Sequence, residues 1–422
     1  MRNFLKLGLL LCTATFIYSC SSDDNDPQPT VELQTNLTTD RFKPIELVAS
    51  PTAVEGVTYT WYLLDSPETK AEETSAKIVL GHAHKLAFIR KEEGNYVIEL
   101  AVTTAQSTKT YETTVSVAHE AVDYSSSIDK IYDFLPAVGQ FTNALPSWTE
   151  GMTSEDMCQE VESKIAKGAS SMISLGGFGG YVVFGFDHSV INEEGMCDLR
   201  IKGNAFWSAN RIADSDGNTR GGSCEPGIIS VSIDANHNGL ADDQWYEIAG
   251  SEYNKETTIK NYTITYNRPV AIDDVTTSDS IKWSNNQNEE GWLVKNAFHR
   301  QSYYPLWLTG DSYNLTGTKL ANNGVDTNGQ GTYWVLYSYA WGYADNSTNT
   351  DPASAIDLDW AVDENGEAVH LPYADFIKVQ TGVQQVCGWL GENSTEVAGA
   401  VDLHLENTVI TTEEAQQYTI QP

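Results

Sequence analysis

The chain has 422 residues, of which 25 are Lys or Arg and 58 are Asp or Glu, so its formal net charge is −33. A protein this acidic repels polyanions, which argues against nucleic acid as a partner, because such binding depends on cationic side chains that release counterions. The length is sufficient for two or three domains of about 150 residues each.

The N-terminus has the pattern of an export signal. Arg2 and Lys6 give it positive charge, and the apolar run Leu7–Tyr18 follows. The segment Ile17–Cys20 resembles a bacterial lipobox, although Tyr18 is atypical in it. We therefore predict a lipoprotein signal peptide over residues 1–19 and a lipid on Cys20; an ordinary signal peptide that happens to contain this cysteine is the alternative.

Residues 20–29 are polar and acidic, and we predict that they form a lipidated tether with too few apolar residues to fold. Their sequence SSDDND resembles the acidic tag that directs such lipoproteins to the outer face of the outer membrane. The remaining chain contains no other apolar run of about 18 residues. We expect a surface protein that is held at the outer membrane by its lipid alone.

Residues 30–120 predict a small β-sandwich, because several segments alternate apolar and polar residues at regular spacing. These segments are Val57–Leu64, Lys77–Leu80, Lys85–Ile89, Asn95–Thr104 and Lys109–Ala118. The sequences TYTWYL and GNYVIELAVT within them resemble PKD-type immunoglobulin-like modules. The resemblance implies a spacer domain.

Residues 121–422 predict a larger, jelly-roll-like β-sandwich with one or two helices. One helix is expected to begin with Ser154 as its N-cap, to bury a stripe of Met157, Val161 and Ile165, and to stop at Gly168. Long loops are expected over residues 271–295 and 308–330. The predicted strands are Tyr181–Phe186, Ile228–Ile233, Thr258–Pro269, Gly331–Tyr343, Ile356–Val362, Asp375–Gly382 and Val397–Leu405.

A motif with oxygen-bearing side chains at alternate positions follows the second of these strands. It resembles the first part of an EF-hand loop and predicts a structural calcium ion, although Trp245 stands where the closing glutamate would be. A polar hairpin turn is the alternative, since Asn-Gly is itself a turn signal. The predicted ligands are Asp234, Asn236, Asn238, the carbonyl of Leu240, Asp242 and Asp243.

Aromatic residues are concentrated in and beside the predicted loops, where rings at one rim of a β-sandwich can stack on a sugar or a planar macrocycle. Each ring alone is equally consistent with core packing. We predict that the ligand-binding residues are Trp292, His299, Arg300, Tyr303, Tyr304, Trp307, Trp341 and Tyr343.

The sequence contains no motif of a known catalytic class, such as GxSxG, HExxH or a phosphate-binding loop, and we expect a binding protein and not an enzyme. A glycosidase would need two carboxylates, for which Glu392 with Glu396 is one candidate pair. The remaining cysteines, Cys158, Cys197, Cys224 and Cys387, allow three pairings and are equally consistent with free thiols.

Seven further motifs follow one another in the larger domain: SLGGFGGYVVFGFDHS, GNAF, SCEPGIISVSID, ADDQWYEIAGSEY, YAWGYADN, DLDWAVDENGEAV and GWLGENSTEVAGAVDLHL. In this order they resemble a family of outer-membrane surface lipoproteins of gut anaerobes, of the BtuH type that binds vitamin B12. The resemblance implies that the larger domain binds cobalamin or another corrinoid for a TonB-dependent transporter, but it assigns no ligand residues. On chemical grounds alone, we expect His299 and Arg300 to bond the corrin amides and Tyr304, Trp307 and Trp341 to stack on its ring or base. A glycan-binding surface module is the alternative.

Overall fold

The computed structural model describes residues 31–50, 52–65, 77–208, 220–270 and 280–417. The predicted signal peptide, the lipidation site Cys20 and the tether lie outside these ranges. The chain divides between Val122 and Asp123 into two compact units. Strands far outnumber helices in both units, and the predicted mainly β fold class is confirmed.

The first unit contains a five-stranded sheet in the order β1-β7-β6-β3-β4 and a pair of strands, β2 and β5. Strands β1 and β7 run parallel, whereas the other neighbours are antiparallel. The strands are β1 Leu37–Asp40, β2 Ile45–Val48, β3 Thr58–Asp65, β4 Ile78–Gly81, β5 Lys85–Phe88, β6 Gly94–Thr103 and β7 Thr108–Ala118.

Trp61 lies at the centre of the first unit and is fully buried. Its indole Nε1 donates to the carbonyl of Ala83 at 2.8 Å, so the polar end of this large side chain is satisfied inside the core. Tyr96, Ile98 and Leu100 of β6 pack in the same cluster. The alternation that predicted the strands therefore places this apolar set in one core.

The second unit consists of several antiparallel sheets and two α-helices. Its strands are β8 Lys130–Leu135, β9 Ile173–Ser174, β10 Tyr181–Gly185, β11 Val190–Ile191, β12 Leu199–Lys202, β13 Phe206–Trp207, β14 Gly221–Ser223, β15 Gly227–Ser232, β16 Trp245–Ile248, β17 Ile259–Asn267, β18 Ser280–Asn285, β19 Glu290–Val294, β20 Ser312–Lys319, β21 Gly324–Asp326, β22 Trp334–Tyr337, β23 Ala355–Ile356, β24 Ala361–Val362, β25 Tyr373–Ala374, β26 Phe376–Thr381, β27 Glu396–Val397 and β28 Gly399–Asp402. The helices are α1 Ser154–Ile165 and α2 Thr412–Gln416, with short 3-10 helices at Pro352–Ser354, Leu358–Trp360 and Gly388–Leu390.

A six-stranded sheet in the order β24-β16-β15-β26-β10-β8 is central to the second unit. Three of its inner strands, β10, β15 and β26, are buried along most of their length, and they correspond to the predicted strands Tyr181–Phe186, Ile228–Ile233 and Asp375–Gly382. A four-stranded sheet in the order β19-β18-β17-β20 has its own core of mainly aromatic and aliphatic side chains. This second sheet positions the pocket described below.

Helix α1 buries Met157, Val161 and Ile165, which confirms the predicted stripe. Its N-cap is Thr153 and not Ser154, so that prediction was wrong by one residue. Thr153 is extended, its side chain accepts from the Asp156 amide, and the Asp156 carboxylate accepts from the Thr153 amide at 2.8 Å. This reciprocal capping box satisfies two amides that the helix itself leaves open.

Both predicted long loops contain strands, which corrects the sequence interpretation. β18 and β19 form a hairpin within residues 271–295, and β20 and β21 lie within residues 308–330. These strands carry Ser, Thr, Asn and Gly among few apolar residues, because only one face of each packs inward. The weak period-2 signal was therefore obscured by polar residues.

Two predicted strands are shorter than expected, and a third, Val397–Leu405, is interrupted at Ala398 between β27 and β28. Only Trp334–Tyr337 forms a strand within Gly331–Tyr343, since Asn346 pairs through its side chain with both backbone groups of Tyr339. The segment Ile356–Val362 is interrupted by a 3-10 turn, where the Asp357 carboxylate accepts from the amide of Asp359 at 2.8 Å. In both places a polar side chain supplies the hydrogen bonds that a neighbouring strand would give.

Candidate functional site

The side chains predicted to bind calcium converge on one tight turn between β15 and β16. The two carboxylate oxygens of Asp234 accept from the amides of Asn238 and Gly239 at 3.0 and 2.9 Å. The side-chain amides of Asn236 and Asn238 donate to the Asp242 carboxylate at 3.1–3.2 Å. These contacts hold Asn236 and Asn238 against Asp242 and hold Asp234 against the backbone of the same loop, and they close a polar hairpin turn.

The other two predicted ligands lie at the end of the same loop. Leu240 is exposed, and its amide donates to the Asn238 side chain at 2.7 Å. The Oδ2 atom of Asp243 is enclosed and has no hydrogen-bond partner among the described residues. The amide of Asp234 donates to Asp375 at 2.8 Å, which attaches the loop to the central sheet.

The aromatic residues predicted to form a ligand-binding rim lie in different places, and half of them are buried. Tyr303 and Tyr304 belong to the core of the four-stranded sheet, Trp307 to the main core, and Tyr343 to a small separate cluster. Their exposed fractions are 1%, 1%, 8% and 2%, respectively. These four rings pack inward and offer no stacking face at the surface.

The remaining predicted residues are more accessible but are not brought together. Trp341 is partly buried and packs on Trp360, with ring centroids 4.6 Å apart. His299 packs edge-on against Phe141, and Arg300 is exposed. Trp292 is 58% exposed. Of the eight predicted residues, Trp292 is the one that lines the pocket described next.

A pocket of about 190 Å³ opens beside the four-stranded sheet. Strand β17 contributes Tyr266, β18 contributes Trp283, and the edge strand β19 contributes Trp292 and Leu293. Successive residues of a strand point to opposite faces, and accordingly Leu293 is buried whereas Trp292 is exposed. The further lining residues are Val138, Gly177, Phe178, Val383, Gln384, Gln385, Val386, Glu392 and Asn393.

Glu392 is the one acidic residue among the described residues that line the pocket. Its Oε1 accepts from the amide of Gln140 at 2.6 Å, whereas its Oε2 is buried without a partner in the described part of the chain. Desolvation, together with the charge of Glu225, raises the pKa of Glu392 to about 8. The carboxyl group of this lining residue therefore holds its proton at neutral pH.

Glycines make room for this carboxyl group. A Cβ added at Gly139 would lie 2.6 Å from Oε1 of Glu392 and 3.0 Å from the Cα of Gly176. A side chain at position 139 would therefore displace either the carboxyl group or the neighbouring backbone. The GGFGG run in the sequence includes Gly176, so its glycines reflect close approach of chain segments at the pocket wall.

Asn393 presents a second unpartnered polar atom. Its Oδ1 is buried and accepts no hydrogen bond from the residues that the structure describes, while its Nδ2 donates to Oδ1 of Asn323 at 3.0 Å. Asn323 is itself fixed, since its Nδ2 donates to the carbonyls of Cys224 and Tyr337 at 2.8 and 2.7 Å. This chain of donors determines the orientation of both amides, and the open atom of Asn393 is therefore an acceptor.

A second group of carboxylates lies close by. Glu225, Asp345 and Glu396 each bring one oxygen to within 4.8 Å of the others, which is a spacing that could hold a cation. Burial raises the pKa of Glu225 to about 7 and the pKa values of Asp345 and Glu396 well above the ordinary value. Without a cation, protons bound by these carboxyl groups reduce the electrostatic repulsion among the three side chains.

Sequence reasoning named Glu392 but did not place it in the pocket. Glu392 was considered with Glu396 as a catalytic pair, yet Glu396 belongs to the neighbouring cluster and does not line the pocket. Gln384, Gln385 and Asn393 were missed altogether. A signal that could have found Asn393 is the polar run GENSTE over residues 391–396.

Cys158, Cys197, Cys224 and Cys387 form no disulfide with one another or with any other described residue. Desolvation raises the pKa of Cys158 to about 11 and the pKa of Cys387 to about 12, and it also raises the pKa values of the other two. These thiols are protonated and unreactive at neutral pH. Among the described residues, no helix is both long and apolar enough to cross a membrane.

No protein-family model matches the chain, and no curated protein matches it either. Among solved structures, the chain is similar to a SusE-like protein at 9% identity and a TM-score of 0.25, covering 89% of this chain and 98% of that one. It is also similar to a carbohydrate-binding module of the β-sandwich super family at 11% identity and a TM-score of 0.15, covering 87% and 92%.

A quinonprotein alcohol dehydrogenase-like protein from Bacteroides thetaiotaomicron matches at 10% identity and a TM-score of 0.16, covering 62% of this chain and 47% of that one. All three TM-scores are too low to carry an argument about the fold or the ligand of this chain. The function proposed below therefore depends on the pocket and on the sequence.

Proposed function

We propose that this chain is a lipid-anchored surface protein whose larger unit binds a glycan in the pocket lined by Trp292. One observation carries the proposal: an exposed tryptophan stands at the lip of a pocket that also offers unpartnered polar atoms. Sugars have apolar ring faces and a periphery of hydroxyl groups. Aromatic side chains can stack on those faces while carboxyl and amide groups accept hydrogen bonds from the hydroxyls.

The size of the pocket favours a glycan over a corrinoid. Pockets that enclose drug-sized ligands measure about 300–1,000 Å³, whereas this one measures about 190 Å³. It can accommodate a single sugar ring, but a corrin with its substituents is several times larger. The burial of Tyr304 and Trp307, to which the corrinoid hypothesis assigned ring stacking, also weakens that hypothesis.

Binding without hydrolysis is the activity that this pocket supports. Most glycosidases place two carboxyl groups on either side of the scissile bond. Glu392 is the one carboxyl group among the described lining residues, and its Oε1 is already held by the amide of Gln140. The proposal therefore assigns Glu392 to ligand recognition.

The surface location is part of the proposal and is supported by the lipobox-like segment before Cys20 and the acidic residues after it. A lipid at that position would hold the two units at the outer membrane, with the first as a spacer. Transfer of the ligand to a TonB-dependent transporter stays a prediction.

Calcium binding at the 234–243 loop is proposed as a structural feature. It is supported by the position of Asp234, Asn236, Asn238 and Asp242 in one turn, where hydrogen bonds link Asp234 to the Asn238 amide and both asparagine side chains to Asp242. Hard oxygen ligands of this kind favour Ca²⁺. An ion there would fix the β15–β16 hairpin, and no catalytic role follows from it.

Affinity electrophoresis in gels that contain soluble polysaccharides tests the proposed function, with cyanocobalamin titration as the competing arm. We expect retardation of the purified protein by at least one polysaccharide, loss of retardation in Trp292→Ala, and no heat with cyanocobalamin. Tight equimolar binding of cyanocobalamin with no retardation in any gel would replace the glycan proposal with the corrinoid one.

A further inference from the structure

Two residues that line the pocket each carry a buried side-chain oxygen without a hydrogen-bond partner among the described residues. These oxygens are Oε2 of Glu392 and Oδ1 of Asn393, and the two residues are 6% and 1% exposed. A buried acceptor without a donor costs about 1–3 kcal/mol. A ligand that supplies N–H or O–H donors at this point would recover that cost, so the pocket selects for a donor-rich group.

The rings around these acceptors favour a positive charge. Phe178, Tyr266, Trp283 and Trp292 line the same pocket, and the faces of aromatic rings carry negative potential that attracts cations. The Tyr266 hydroxyl is already engaged, since it donates to the carbonyl of Phe178 at 2.9 Å. Only the ring of Tyr266 is therefore available to a ligand.

The lining provides no cation of its own. None of the described residues that line the pocket is Lys or Arg. Within the part of the chain that the structure describes, the charge of Glu225 raises the pKa of Glu392, and Glu392 in turn raises the pKa values of Tyr266 and Tyr303; none of these three groups is positively charged. The ionised form of Glu392 would therefore take its positively charged partner from a bound ligand.

Building on the proposed function, we propose that the sugar unit bound in this pocket carries a protonated amine, as in a glucosamine residue of a glycan. The ammonium group donates to Oε2 of Glu392 and Oδ1 of Asn393 and lies among the four rings, while the sugar ring stacks at the Trp292 lip. An ammonium group has three donors and a charge, and it matches this combination better than a hydroxyl group does.

The raised pKa of Glu392 gives the proposal a distinctive signature. Below its pKa of about 8 the carboxyl group holds a proton, and an ammonium group that enters the pocket stabilises the ionised form. Binding therefore displaces the proton from Glu392 to solvent. A neutral sugar leaves that proton in place.

Isothermal titration with three trisaccharides tests the inference: a glucosamine trimer, its N-acetylated form and a neutral glucose trimer. At about pH 6, where amine and Glu392 both hold a proton, we expect the glucosamine trimer to bind about tenfold tighter than the other two, on the scale of a desolvated cation–π contact. Titrations in two buffers of different ionisation enthalpy should show release of up to one proton for this trimer alone.

Glu392→Gln should remove the preference, whereas Trp389→Ala should keep it, because Trp389 is exposed but does not line the pocket. The proton-release measurement uses the unaltered protein and does not depend on the folding of any variant. Equal affinity for all three trimers, lost together in Trp292→Ala, would overturn the amino-sugar inference and leave the glycan proposal standing. Absence of binding to every trimer and every polysaccharide would overturn both.

Discussion

Glu392 accepts a hydrogen bond from the backbone amide of Gln140 at 2.6 Å, although 252 residues separate the two along the chain. The Gln140 side chain adds a second hydrogen bond between the same two segments, since its Nε2 donates to the carbonyl of Leu390 at 2.6 Å. Two distant segments thus fix one oxygen of Glu392 and leave the other open. The most distinctive chemistry of the pocket therefore depends on long-range contacts.

Trp292→Ala should weaken glycan binding without affecting the fold. Loss of one stacked indole removes about 1–2 kcal/mol, which corresponds to roughly a 5- to 30-fold increase in Kd. Since Trp292 is 58% exposed, the free energy of unfolding should change by less than about 0.5 kcal/mol. Titration calorimetry and thermal denaturation measure the two effects, and Trp389→Ala is the matched control for an exposed tryptophan. Equal losses of glycan affinity in Trp292→Ala and Trp389→Ala would show that the effect does not come from a stacking contact in the pocket.

The melting temperature of the protein should fall as the pH rises from about 5 to about 8.5. Desolvation raises the pKa values of Glu225, Asp345, Glu392 and Glu396 above those of the unfolded chain. The folded state therefore holds these protons more tightly, and their contribution to stability is fully present at low pH. The share of Glu225 and Glu392 is lost as the pH rises through about 7–8.

Each kcal/mol lost on this rise in pH should lower the melting temperature by roughly 2–4 °C. Scanning fluorimetry across the pH range in EDTA measures the effect. Glu392→Gln removes one of the titrating groups and should flatten the curve. A melting temperature that is constant or rises over this range would contradict the assignment of protonated buried carboxyl groups.

Calcium should raise the melting temperature of the native protein, and EDTA should reverse the effect. Asp234→Ala should remove the response, because this residue supplies the first oxygen ligand of the loop. Asp363→Ala is the matched control, since Asp363 also holds a turn by accepting from two backbone amides, of Asn365 and Glu367, at 2.8 and 2.9 Å. Both variants lose turn hydrogen bonds, but only the first should lose the response to calcium. A response that survives in Asp234→Ala would show that the loop is only a turn.

Four thiols should be alkylated when a form of the protein that begins after Cys20 is unfolded in denaturant without reductant. Cys158, Cys197, Cys224 and Cys387 are free, and their raised pKa values should make labelling of the folded protein slow. Intact mass spectrometry before and after unfolding counts the labels. Two labels or none after unfolding would indicate one or two disulfides.

The sequence was most informative where a local pattern determines the structure. The stripe of Met157, Val161 and Ile165 identified α1, because a helix repeats every 3.6 residues whatever it packs against. The alternation in β6 and β7 likewise located their strands within a residue at each end. The predicted ligands of the 234–243 loop converge because they are close in sequence and share one turn.

The pocket could not be predicted in this way, because its walls come from segments around residues 138, 177, 266, 292 and 392. Tyr303 and Tyr304 were assigned to a rim since they lie near other aromatic residues in sequence. In the fold their rings pack into the core of the four-stranded sheet. Proximity along the chain does not determine which face of a segment is turned inward.

A crystal structure of the protein with a bound amino-sugar oligosaccharide tests the central claim most directly. The account predicts one sugar ring stacked on Trp292, with its amino group within hydrogen-bonding distance of Oε2 of Glu392. A structure in which the oligosaccharide occupies another surface, while the pocket holds only solvent at saturating ligand, would contradict it.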